Sequence, residues 1–232
     1  VYKNWDHTDP ERIELLPQSG SDRRYYRIHG KDKTVIATHG NNVRENEVFI
    51  YFSGHFRQTQ LPVPSILAVS PDRTIYLQED LGDRSLLNQL ESEGQTPAVY
   101  ALFKQSLEQL AQLQVRADDG LDYGQCLTNR EFGKQAILAD LLYFKYYFLD
   151  ALRKPYDKQK LIDDFDALAT YLSHTEYRYF MFRDFQSRNI MVRDNGSVYF
   201  IDYQGGMKGA PQYDVASMLW QARANLSDDW KN

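Results

Sequence analysis

Two short runs near the front of the chain, 25–29 (YYRIH) and 33–38 (KTVIAT), are rich in apolar, β-branched and aromatic residues, with the turn-prone HGKD between them. Two such runs about a turn predict an antiparallel hairpin. Beyond them the spacing is helical: Val48, Phe49, Phe52 and Phe56 share one helical face. The stretch LPVPSILAVSPDRTIYLQEDLG predicts two further strands, with Pro71-Asp72 in the turn between them. After EDLGDRSL the pattern turns helical. Thr96 before Pro97 predicts a helix start, and Val99, Leu102, Phe103, Leu107, Leu110 and Leu113 mark its core-facing stripe. A Tyr- and Leu-rich helix over 132–152, expected in the core, and another over 158–172 follow. Asn195-Gly196, between Val192 and Val198, is a two-residue hairpin signal. The last helix begins near Asp214 and is still apolar as the chain nears its final residue. The expected fold is α+β and two-lobed: a β-rich lobe over 1–78, a hinge over 79–82, and an α-rich lobe over 83–232 whose last part is expected to be incomplete.

Composition narrows the classes. The chain has 232 residues, 42% of them hydrophobic, with 17 Tyr and 12 Phe, enough to fill a sizeable core. A net charge of −5 argues against a nucleic-acid binder, which usually needs a basic face. One cysteine, Cys126, excludes an intrachain disulfide and fits a reducing cytosol. No apolar run approaches the roughly 20 residues of a spanning helix, and the opening VYKNWDHTDPERIELL lacks the features of a signal peptide. A cytoplasmic protein without membrane or nucleic-acid partners is expected.

Three polar residues interrupt the most apolar part of the chain. Asp184 follows YFMF, Asn189 precedes IMV, and Asp202 closes VYFI. A carboxylate at the end of a buried strand is costly unless something pairs it, and a metal ion is one such partner. The hairpin between 190 and 201 folds Asp202 back toward the loop holding Asp184 and Asn189. An Asn with an Asp suits a hard, oxygen-seeking cation such as magnesium. Asp184 is left free to accept a proton from a hydroxyl. Together these are the parts of a phosphoryl-transfer site, where positioning and charge neutralisation do most of the catalysis. The five histidines form no metal-spaced cluster, and neither G-x-x-x-x-G-K-[ST] nor G-x-G-x-x-G occurs.

RDFQSRNIMV resembles the protein-kinase catalytic loop H-R-D-x-x-x-x-N, and IDYQ resembles its metal-binding D-F-G. FRDFQSRNIM, followed by YFIDYQGGMKGAPQYDVASML, is more similar to the aminoglycoside phosphotransferase family, in particular to its anomeric kinases of N-acetylmuramate and N-acetylglucosamine. GSDRRYYRI and EDLGDRSL look like that subgroup too. The resemblance implies ATP and Mg2+ as cofactors and a small-molecule acceptor, an N-acetylated amino sugar phosphorylated at its anomeric hydroxyl. It implies Asp184 as catalytic base, Asn189 and Asp202 as metal ligands, and Asp214 bracing the catalytic loop that contains Arg183. Asp214 also reads as a plain helix N-cap. Glu79, Asp80 and Leu81 are implied as the adenine-binding hinge. Ser19, Gly20 and Ser21 are implied as a loop over the phosphates, and Glu47 as the acidic residue that normally pairs with a phosphate-binding lysine.

The chain departs from the pattern in three places. Phe182 stands in a histidine slot, SGSD has one glycine, and Thr38 in VIAT stands where V-A-I-K carries lysine. Arg24, or next to it Arg27, is expected to supply the missing charge, since arginine grips phosphate bidentately. Two classes follow: an active small-molecule kinase, or a catalytically weak nucleotide-binding module that regulates a fused or partner domain. A protein kinase fits poorly, because no APE-like segment follows Asp202 and little room separates it from Asp214.

Overall fold

The computed structural model describes residues 1–17 and 22–231. A short helix α1 (Tyr2–Asp6) precedes strands β1 (Arg12–Leu15), β2 (Arg24–His29) and β3 (Thr34–His39). Helix α2 (Val43–Gln58) and strands β4 (Ile66–Val69) and β5 (Ile75–Glu79) complete an antiparallel sheet in the order β1-β2-β3-β5-β4. The anticipated hairpin is β2–β3, with Thr38 opposite Tyr25 and, on the other side, opposite Tyr76 of β5. Alternation divides the sheet. Ile28, Val35, Ala37 and Leu77 pack with Tyr2 of α1 on one face, while Tyr76 faces α2 and the main core. β1 was not expected: all four of its residues are exposed, so it carries no burial alternation to betray it.

Asn42 caps α2 by accepting from the Glu45 amide at 3.3 Å. The stripe Val48, Phe49, Phe52 and Phe56 is buried, as its spacing predicts. Phe52 and Phe56 meet the ring of Phe180 edge-on at 5.4 and 5.0 Å, and Phe49 stacks on Tyr203 at 4.8 Å. Aromatic pairs in such geometries add directional preference to simple burial.

The α-rich part begins with α3 (Leu86–Glu93), held by a capping box between Ser85 and Asn88, and α4 (Pro97–Asp118), capped by Thr96. α5 (Lys134–Phe144) runs into a π-helical turn, Lys145–Leu149, and α6 (Lys158–Ser173) is capped by Asp157. Then come β6 (Tyr179–Met181), a 3-10 turn Ser187–Asn189, β7 (Ile190–Val192), β8 (Val198–Phe200), β9 (Met207–Gly209), α7 (Gln212–Leu219) and α8 (Asp228–Lys231). β6 pairs antiparallel with β9, and β7 with β8. The β7–β8 turn takes three residues rather than two. The Arg193 amide donates to Ser197 at 2.9 Å, and Gly196 sits at φ 79. A left-handed glycine at the end of such a loop lets the strands re-pair without splaying. At Gly206 a Cβ would fall 2.3 Å from the Phe180 ring, so only glycine lets the metal-segment backbone cross that ring.

One expectation is corrected. The Tyr-rich helix is not core: Tyr143, Tyr147 and Phe148 are 65%, 70% and 52% exposed. α5 packs on α6 and buries only Ala136 and Ile137. Its apolar residues run all round the helix, so spacing alone does not say which face is covered.

Phe52→Ala is therefore expected to cost about 3–5 kcal/mol of stability, whereas Tyr147→Ala should stay within about 0.5 kcal/mol of the parent. Urea titration of both variants checks this. A large loss at Tyr147 would mean that its face is covered in solution.

Candidate functional site

The loop of residues 182–189 hangs from one buried carboxylate. Asp214, wholly buried in α7, accepts the Phe182 amide at 2.8 Å and the Arg183 amide at 2.9 Å. Gln114 of α4 donates a third bond at 2.9 Å. Asp214 is thus the third residue of α7 and makes no N-cap bond. Burial pushes its pKa up to about 6, against the amides that favour the charged form. Arg183 takes a left-handed backbone, φ 77, and its guanidinium forks onto Asp140 of α5 at 2.8 and 3.1 Å. The same guanidinium lies 4.7 Å over the Phe132 ring.

With the loop fixed at that end, Asp184, Asn189 and Asp202 converge. Asn189 is buried and donates its Nδ2 to the Asp184 carbonyl at 2.9 Å and to Asp202 Oδ2 at 3.5 Å. Its Oδ1 therefore turns the other way, available to a cation. Asp202 has φ 70, left-handed, at the end of the hairpin's second strand, and the Ile201 amide donates to the Asn189 carbonyl at 3.0 Å. Asp184 is exposed to solvent. Partial loss of hydration and then the neighbouring Asp202 charge raise its pKa, which suits a proton acceptor. Among the described residues no group of three His, Cys, Asp or Glu side chains forms a metal cage. One carboxylate and one amide oxygen instead leave room for water and phosphate oxygens, the donor set that magnesium takes.

On the sheet side the arginines and glutamates near position 38 divide between the two faces of the sheet and of α2. Arg24 shares a strand face with Ile28, which packs toward α1, and its side chain is exposed. Arg27 is pinned to Asp80 at 2.7 Å and Asp83 at 2.6 Å beside the hinge. Glu47 pairs with Arg73 on the outside of α2 at 3.4 Å. The buried pair is Arg23 with Glu45, at 2.6 Å, and Arg23 is only 4% exposed. Its neighbours are the rings of Tyr25 and Tyr76, the two residues that flank Thr38 in the sheet. Arg23 therefore reaches the side of the sheet where a lysine at position 38 would point.

Both placements are readable in the sequence after the fact. Arg23, Tyr25 and Arg27 share one strand parity, and Arg24 has the other. Glu45, Phe49, Phe52 and Phe56 lie on one helical face, which excludes Glu47. At the hinge, Glu79 takes Arg193 at 3.0 Å, Asp80 is held by Arg27, and Leu81 is buried. Ser19, Gly20 and Ser21 lie outside the described residues. Asp140 and Gln114 were not foreseen, because each acts from a separate element with no local motif of its own, and Gln204, although it lies in IDYQ, was given no role because its partner Glu45 is 159 positions away.

The model of the phosphotransferase enzyme family matches residues 12–232. The chain is 26% identical over 229 residues to the N-acetylmuramate/N-acetylglucosamine kinase of Neisseria meningitidis serogroup B, covering 95% of the chain and 66% of that protein. It is 25% identical over 228 residues to the Pseudomonas aeruginosa protein of the same name, covering 96% of the chain and 63% of that protein. The chain thus spans about two thirds of the length of these curated relatives. Among solved structures, aminoglycoside phosphotransferase APH(4)-Ia superposes with TM-score 0.66 at 15% identity, over 99% of this chain and 78% of that one. Choline kinase LicA from Streptococcus pneumoniae superposes with TM-score 0.64 at 14% identity, over 99% and 75%. These likenesses show the kinase-like, two-lobed fold.

Asp214 carries a pH signature. Its proton is held more tightly in the folded state, near pH 6, than in the unfolded chain, near 3.8. Stability from this group is therefore present below about pH 4 and is lost as pH rises through 6, by about 3 kcal/mol. Asp214→Asn removes that titration. The stability of the parent relative to the variant should fall by this amount between pH 4 and 7 in parallel denaturation series, and a pH-independent difference would reject the assignment.

Proposed function

The chain belongs to the phosphotransferase enzyme family, and from that premise we propose that it transfers the γ-phosphate of ATP to a hydroxyl of a small molecule. The observation that carries the reading is Asn189, which joins the Asp184 loop to Asp202 at the end of the hairpin, with Asp184 exposed to solvent beside them. The reaction needs few chemical groups. The acceptor oxygen attacks the γ-phosphorus, its proton passes to Asp184, and the bond to the bridging oxygen breaks to release ADP. Asn189 and Asp202 would hold magnesium, which would neutralise charge on the phosphates. Arg23, kept in place by Glu45, supplies the cation that Thr38 cannot. The backbone of Glu79, Asp80 and Leu81 receives adenine, and Arg183 and Asp214 keep the loop in position.

The acceptor in this reading is an N-acetylated amino sugar, phosphorylated at the anomeric hydroxyl. Support comes from the names of the two bacterial relatives and from chemistry. An anomeric hydroxyl is more acidic than an ordinary alcohol, so a carboxylate base suffices. Reading the chain as a weak, regulatory nucleotide-binding module leaned on Thr38 in place of lysine. The buried Arg23–Glu45 pair answers that substitution with another cation, and the active reading is preferred.

ATP consumption against N-acetylmuramate, N-acetylglucosamine, choline and kanamycin tests the acceptor. Turnover of choline or kanamycin, but of neither sugar, would refute the amino-sugar reading. Asp184→Asn should lower kcat by roughly 10²–10⁴ with little change in ATP affinity, and normal turnover in that variant would remove Asp184 as base.

Arg23→Ala should weaken ATP binding about tenfold or more, the scale of a lost charge-assisted contact, while Arg24→Ala leaves it unchanged. Calorimetric titration decides between them. Loss in Arg24→Ala alone would restore the assignment first made from the sequence.

A further inference from the structure

Gln204, two residues beyond Asp202, is only 9% exposed. Its Nε2 donates to Asp202 Oδ1 at 2.7 Å and to Glu45 Oε1 at 3.4 Å. Those two carboxylates fix the orientation of the amide, because the flipped form would set Oε1 against two negatively charged oxygens. In the orientation present, Oε1 is buried and has no donor among the described residues. An apolar side chain of the same size would avoid that cost, so the position favours the amide for something other than packing.

The neighbours say what. Glu45 holds Arg23 at 2.6 Å, and Asp202 receives Asn189 on its other oxygen at 3.5 Å. Asp202 itself has a left-handed backbone at the hairpin end. Gln204 thus stands between the metal carboxylate and the arginine–glutamate pair, keeping two like charges near each other with a donor between them. We propose that Gln204 is a positioning residue that ties Asp202 to the Glu45–Arg23 pair, so that divalent cation and nucleotide phosphates are bound as one unit rather than at two independent points. This rests on the kinase reading above and adds to it a residue that touches neither the acceptor nor adenine.

The test compares ADP binding with and without magnesium by calorimetry, in the parent, Gln204→Met, Glu45→Gln and the double variant. Gln204→Met keeps the volume and removes the amide. The gain in ADP affinity that magnesium brings should fall about tenfold, while affinity without magnesium stays within about twofold, since no hinge contact has changed. The double variant should lose less than the sum of the two single losses, the mark of groups that act together. An unchanged magnesium gain in Gln204→Met, or additive losses in the double variant, overturns the proposal. A parent protein whose ADP affinity ignores magnesium would overturn the kinase reading itself, which separates the two failures. Should Gln204→Met not fold, Glu45→Gln removes the negative charge at the other end of the bridge. It must then show the same loss of magnesium gain, and an unchanged gain there overturns the proposal.

Discussion

The site depends on one buried carboxylate. Asp214 is wholly buried and makes no direct ion pair among the described residues, and it is held by two loop amides and the amide of Gln114. A charge in that position is expensive, and burial raising its pKa to about 6 records the expense. In return the backbone of Phe182 and Arg183 is fixed at the point where Arg183 adopts a left-handed conformation that a non-glycine residue avoids. Asp140 anchors the Arg183 side chain from α5, so the loop is gripped by backbone and side chain together. The direction in which Asp184 leaves the loop follows from both grips.

Aromatic packing joins helix α2 to the segments on either side of Asp184 and Asp202. Tyr203, next to Asp202, is wholly buried, stacks on Phe49, and shares a 2.6 Å hydrogen bond with Ser53 of α2. Phe180, just before the catalytic loop, meets Phe52 and Phe56 of the same helix. Glu45 lies one turn before Phe49 on that face. The helix that carries the arginine's partner is thus packed against the segment that carries the metal carboxylate. Farther out, the hinge is held by charge instead: Arg27 on Asp80 and Asp83 from the sheet, Arg193 on Glu79 from the β7–β8 turn. Arg27 and Asp80 are mostly buried, whereas Asp83 and the Arg193–Glu79 pair reach solvent, where ion pairs are weak singly.

Much was legible in the sequence because it was encoded locally. The β-rich runs in 25–38, the helical spacing in 48–56, the Thr96-Pro97 start, and a turn at Asn195-Gly196 each depend on residues a few positions apart. The spacing of Asp184, Asn189 and Asp202 around that hairpin was enough to bring the three together on paper. β1 carried no alternation, and the helix of 134–144 was apolar all round, so neither the edge strand nor the exposed tyrosines could be read.

Chain-local chemistry therefore determined the two-lobed α+β layout and the approach of Asp184, Asn189 and Asp202. Only the tertiary structure decided that Arg23 and Glu45 form the buried pair and that Asp214 receives two loop amides. It also decided that Asp140 grips Arg183 and that Gln204 bridges Asp202 and Glu45. These pairings join residues from 22 to 159 positions apart, save the short Gln204–Asp202 link. A motif records which side chains a stretch offers. Which of two neighbouring arginines or glutamates meets the cleft is set by strand parity and helix phase against partners that come from elsewhere in the chain.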